Sequence, residues 1–141
     1  MAEGQNKAMR ISIGLLLMTG FVMILFGLIT RYAGSWATRS DDADLGGRVL
    51  RSGTRGASAT LTTSGRDVGL VAVAGPTQGR VSVYVDGRRA GTLDLRAAEP
   101  ATRRVVWTRH FSRPGRHSVR LVVQGTAGRP WVSLDGWTVL A

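Results

Sequence analysis

The chain contains no cysteine. That excludes a disulfide framework and a thiol for lipid attachment. Histidine is scarce, with only His110 and His117. A metal centre or acid–base pair built on them needs both rings on one face, and no third ligand lies nearby in sequence. No serine stands in a Gly-x-Ser-x-Gly elbow. The glycine-rich stretches "GTRGAS" and "GPTQGR" lack the Gly-Lys-Ser/Thr ending of a phosphate loop and read as β turns. Glycoside hydrolysis needs two carboxylates across one cleft. Of the available acids Asp86, Asp94, Glu99 and Asp135, the first and last sit in Asp-Gly turn contexts. Asp41, Asp42 and Asp44 form an acidic triplet in a polar stretch and read as solvated rather than as a cation site. No catalytic residue, metal or cofactor is therefore expected, and no enzyme activity.

Charge is short on one side: nine acids stand against nineteen basic residues, for a net charge of +10 over 141 residues. All the basic residues but Lys7 are arginine. Such a balance attracts anionic partners, whether acidic polymers, lipid headgroups or an acidic protein surface. No nucleic-acid partner is expected.

One long apolar run is present. Residues 11–30 carry no charge. As a helix rising about 1.5 Å per residue they would span about 30 Å, the thickness of a bilayer core. Arg31, Tyr32 and Trp36 follow directly and suit a membrane–water interface. The expectation is a polar head at 1–10, a transmembrane helix at 11–34 and a linker at 35–47. A cleaved signal peptide is the competing reading, but the run exceeds the roughly 7–15 apolar residues of a signal core. Gly14, Gly20 and Gly27 interrupt the run, and Gly20 and Gly27 share a helical stripe on which a second helix could pack closely.

From residue 47 onward the texture changes to short apolar alternations punctuated by Gly, Pro, Asp and Ser. Strands are expected near 47–51, 57–63, 68–74, 80–86, 91–96, 103–111, 117–124 and 131–140, an all-β sandwich over 48–141. Face matching places Val83 near Leu93 across a loop of about five residues. It also places Trp107 opposite Leu121 in a second hairpin, with His110 and His117 on opposite faces.

Val-x-Val-x-Val-Asp-Gly, then Pro-Gly-x-His-x-Val-x-Leu-x-Val-x-Gly-Thr, then Val-x-Leu-Asp-Gly-Trp resembles a galactose-binding-like, carbohydrate-binding-type jelly roll over residues 48–140. The resemblance implies an eight-stranded sandwich of the kind found beside bacterial surface enzymes and as appended carbohydrate-binding domains. It supplies no ligand residue.

Large aromatics both fill cores and present faces for sugars. Trp107 is assigned to the core. Trp131 and Trp137 share the parity of Ser133 and Asp135, so they are candidate contacts to a glycan or partner, together with Tyr84. The leading expectation is an accessory subunit of a larger membrane complex, with one helix in the bacterial cytoplasmic membrane and the β domain on the extracytoplasmic side. The alternative is a membrane-anchored carbohydrate-binding module.

Overall fold

The computed structural model describes residues 22–25, 28–40 and 48–141. Among them are eleven strands: β1 (Val22–Leu25), β2 (Leu28–Ala33), β3 (Ala37–Ser40), β4 (Arg48–Ser52), β5 (Ser58–Thr63), β6 (Asp67–Ala74), β7 (Arg80–Val85), β8 (Arg88–Asp94), β9 (Ala101–His110), β10 (His117–Val123) and β11 (Val132–Leu140). Two antiparallel sheets form, one in the order β1-β2-β5-β10-β7-β8 and the other in the order β3-β4-β11-β6-β9. The protein is an all-β sandwich of jelly-roll type.

The eight expected strands correspond to β4 through β11. The stretch expected to end a helix behaves differently: residues 28–33 form β2 and pair with β5, Tyr32 lying opposite Ala59 and Thr30 opposite Leu61. Residues 37–40, expected within a linker, form β3 on β4. The physical reason is partner surface. Without this strand, the side of β5 that carries Ala59 and Leu61, both fully buried, would lie open at a sheet edge. Tyr32 and Trp36 fill the adjoining core edge to face, their centroids 5.4 Å apart, and the Trp36 indole N–H donates to the Ala33 carbonyl at 2.9 Å. Among the described residues no helix is long and apolar enough to cross a membrane. Residues 1–21, which hold Gly14 and Gly20, lie outside the described residues, as do Gly27 and the Asp41, Asp42 and Asp44 triplet.

The core between the sheets follows period-two alternation. From the first sheet come Leu61, Val81, Val83, Val119, Leu121 and Val123; from the second come Leu50, Val68, Leu70, Val132 and Leu134. The β7–β8 hairpin closes on a two-residue Asp86-Gly87 turn, with φ of 49° and 82°, where a longer loop was expected. Both values are positive, as the hairpin turn that matches strand twist requires. Apolar pairing is restored by a bulge at Ala90: Tyr84 pairs with Arg89, yet Val83 pairs with Gly91 and Val81 with Leu93.

The expected β9–β10 hairpin does not form. β9 pairs with β6 in one sheet, and β10 lies between β5 and β7 in the other. The six residues 111–116 can reach about 20 Å, ample for crossing sheets about 10 Å apart. The crossing is clasped by His117, whose ring stacks on Phe111 at 4.0 Å. Its Nδ1 lies 2.8 Å from Asp86 Oδ2, and its Nε2 lies 2.9 Å from the Arg113 carbonyl oxygen. Both partners are acceptors, so both contacts are hydrogen bonds only when the ring carries two protons.

The bond to Asp86, then the bond to the Arg113 carbonyl, raises the His117 pKa above its ordinary 6.5 against a smaller effect of burial. For Asp86, burial pushes upward but is outweighed by the bonds from His117 and the Ser118 N–H, so the pKa falls below 3.8. A raised histidine pKa stabilises fully below its unfolded value and ceases to as pH rises through the folded one. A lowered carboxylate pKa stabilises above its unfolded value and ceases to as pH falls through the folded one. The clasp therefore holds best between the two. Stability should drop as pH rises above about 6.5 and through the raised His117 pKa, by about 1 kcal/mol or less, since Asp86 is open to solvent. Urea titrations of the parent and His117→Gln check this; the variant should lose that pH dependence, and an unchanged slope would refute the clasp.

Candidate functional site

Cross-strand pairing places the outer face of the six-stranded sheet residue by residue. Arg31 on β2 lies opposite Thr60 on β5, Thr60 opposite Arg120 on β10, Arg120 opposite Tyr84 on β7, and Tyr84 opposite Arg89 on β8. Directly paired residues share a face. These five therefore form one row across five strands, perpendicular to the chain direction. A second row beside it runs Ser58, Val122, Ser82, Thr92.

The three arginines of the row are exposed and Tyr84 is half-buried. The Arg120 guanidinium lies 5.6 Å from the Tyr84 ring centroid, near the outer limit of a cation–π contact. Arg89 donates to Thr92 Oγ1 at 2.7 Å, and the Gln124 amide donates to Ser82 Oγ at 3.0 Å. Across β5, β10, β7 and β8 the surface thus offers an aromatic ring, hydroxyls from Ser and Thr, and guanidinium donors, with Val122 the main apolar side chain.

The acids bordering this face are engaged elsewhere. Asp94 is held by Arg129 through both oxygens, at 2.6 and 3.2 Å, and by Arg80 Nε at 3.2 Å. The bond from Arg129 above all, against burial, holds its carboxyl well below the usual range, with further help from the Arg96 N–H and Arg80. Asp86 is bound by His117 and by the Ser118 N–H at 2.9 Å. Among the described residues Arg31, Arg89 and Arg120 form no ion pair.

The other sheet treats its aromatics differently. Trp131 is 38% exposed, but the Arg51 guanidinium lies 3.8 Å from its ring centroid and Gly53 packs against its six-membered ring. A Cβ at Gly53 would come to 3.0 Å from two ring carbons, so a larger residue there would press the ring to shift. Burial above all, then the charge of Arg39, lowers the Arg51 pKa. The Trp131 ring is thus already covered in part by its own chain.

Trp137, placed by parity with Ser133 and Asp135, is instead 5% exposed in the core opposite Leu70. The cause is a bulge: Leu134 pairs with Ala72 and Gly136 with Val71, so Asp135 is the extra residue and the alternation reverses after it. Asp135 is itself fully buried and accepts the Arg103 N–H at 3.1 Å. Trp107 packs half-buried against the core. Of the residues expected at a membrane interface, Tyr32 and Trp36 are buried between the sheets and Arg31 lies on the row described above. His110 sits in the other sheet from His117, 2.7 Å from Asp67.

No protein-family model matches this chain, and neither does any curated protein. Solved structures share its fold. A family two carbohydrate esterase from Cellvibrio japonicus superimposes with a TM-score of 0.57 at 18% identity, over 84% of this chain and 32% of that one. The CBM36-1 domain of a multidomain xylanase from the hindgut metagenome of Trinervitermes trinervoides gives 0.51 at 20% identity, over 75% of this chain and 86% of that one. A Paenibacillus xanthan lyase gives 0.55 at 12% identity, over 78% of this chain and 12% of that one. The chain thus spans a small part of the two enzymes and most of the CBM36-1 domain. At these identities the likeness establishes the fold alone: a β-sandwich of jelly-roll type. Fold alone does not assign function.

Proposed function

We propose that this chain is a non-catalytic carbohydrate-binding module, with its site on the outer face of the six-stranded sheet around Tyr84. The observation that carries the reading is the setting of that ring: it stands among Thr60, Ser82, Thr92 and three exposed arginines, where β5, β10, β7 and β8 present mostly polar side chains. Sugars combine a weakly apolar ring face with many hydroxyls, and this surface offers a partner to each. The fold shared with the CBM36-1 domain supports the same reading. The apolar residues upstream of β1 would deliver the module out of the cytoplasm, to where polysaccharide lies; fractionation of the full chain checks that placement.

Binding is expected when the full-length protein is run through gels containing soluble β-linked polysaccharides. Tyr84→Ala should weaken it by about 1 kcal/mol, roughly fivefold in Kd. Trp131→Ala should leave it nearly unchanged. Mobility unaltered by any polysaccharide of a broad panel would defeat the proposal. The accessory-subunit reading rests on a helical stripe at Gly20 and Gly27, outside the described residues, and no described contact favours it.

A further inference from the structure

We infer that the glycan taken by this face is acidic: a β-linked polysaccharide carrying carboxylates, lying along the row Arg31, Thr60, Arg120, Tyr84, Arg89. The inference rests on the carbohydrate-binding reading and adds charge and direction to it. Neighbouring strands lie about 4.8 Å apart, so Arg31 and Arg120, two strands apart, are separated by roughly 10 Å, and so are Arg120 and Arg89. An extended β-linked pyranose chain advances by about that distance every two sugars. Laid across the strands, it would present a carboxylate to a guanidinium at alternate residues. Thr60 and Tyr84 would then meet the sugars between.

Charge complementarity favours this occupant. The three guanidiniums are exposed and form no ion pair among the described residues, while the nearby Asp86 and Asp94 are bound by His117 and by Arg80 and Arg129. Guanidinium pairs with carboxylate through two parallel N–H donors, a geometry a neutral sugar does not repay. A membrane surface or a nucleic acid would also feel the charge. Neither accounts for the spacing or for a single aromatic ring between hydroxyls.

The test uses full-length protein with poly-β-1,4-mannuronate and with the same polymer after reduction of its carboxyls. The acidic polymer should bind at least tenfold more tightly, and salt should weaken it. The triple variant Arg31→Gln/Arg89→Gln/Arg120→Gln should lose at least tenfold, about threefold per exposed pair. A control variant, Arg55→Gln/Arg113→Gln/Arg116→Gln, removes the same charge from exposed positions off the row and should retain most of the binding. Thermal melts confirm that both triple variants fold. Equal binding of the two polymers, with the row variant unaffected, overturns the acidic assignment while leaving carbohydrate binding intact. Equal loss in row and control variants, or equal affinity for DNA or anionic lipid vesicles, overturns the row. Retention of neither polymer, nor of any other glycan, removes the carbohydrate-binding reading itself.

Discussion

Trp137→Ala should cost about 3–5 kcal/mol of folding stability, the range for deleting a large aromatic from a core. The indole is 5% exposed and pairs across β6 with fully buried Leu70. Truncation would leave a cavity between central strands of the smaller sheet, where neighbours on both sides resist collapse. Trp131→Ala should cost much less, about 1 kcal/mol, because its ring is partly solvated and its main partner is the Arg51 stem and fork. Urea denaturation of the two variants measures the contrast. Near-equal losses would contradict the bulge at Asp135 that separates a buried tryptophan from an exposed one.

The second large effect concerns the strands before residue 41. A protein beginning at residue 45 lacks β2 and β3. It loses Tyr32 and Trp36 from the core, uncovers β5 along Ala59 and Leu61, and leaves β4 as a bare edge beside Leu50. Two exposed sheet edges invite pairing with other chains. The loss is on the order of the whole stability of a small domain, about 5–15 kcal/mol. The shortened protein should aggregate or lack a cooperative thermal transition, whereas one beginning at residue 28 should melt cooperatively. If the protein begun at residue 45 melts like the longer one, β2 and β3 do not belong to the folding unit. The phenol of Tyr32 offers a second readout, since burial pushes its pKa far up: it should resist ionisation in alkali until the protein unfolds.

What could be read from the sequence follows the range of the interactions. The eight strands from residue 48 onward were legible because turn residues and period-two alternation are local. β10 shows this plainly, with Val119, Leu121 and Val123 turned inward and Arg120 outward. Two bulges were not legible. Asp135 and Ala90 each reverse side-chain parity by one inserted residue, and nothing in the local pattern marks them beyond adjacent glycines at 136 and 91. β2 was hidden by composition, since an apolar run that could serve as a membrane helix serves equally as a strand until its partner is known. The site was half legible. Tyr84 was a candidate from sequence alone. Its companions Arg31, Thr60, Arg120 and Arg89 come from four other strands, and only the order β2-β5-β10-β7-β8 brings them into line.

The most direct test of the central claim is a residue-resolved map of the bound face. Full-length 15N-labelled protein would be titrated with the β-linked polysaccharide it retains best, cut to short oligosaccharides, while backbone amide resonances are followed. The largest shifts are expected on Thr60, Ser82, Tyr84, Arg89 and Arg120, with Arg51, Gly53 and Trp131 unmoved. Shifts concentrated on Arg51, Gly53 and Trp131 instead would contradict the claim.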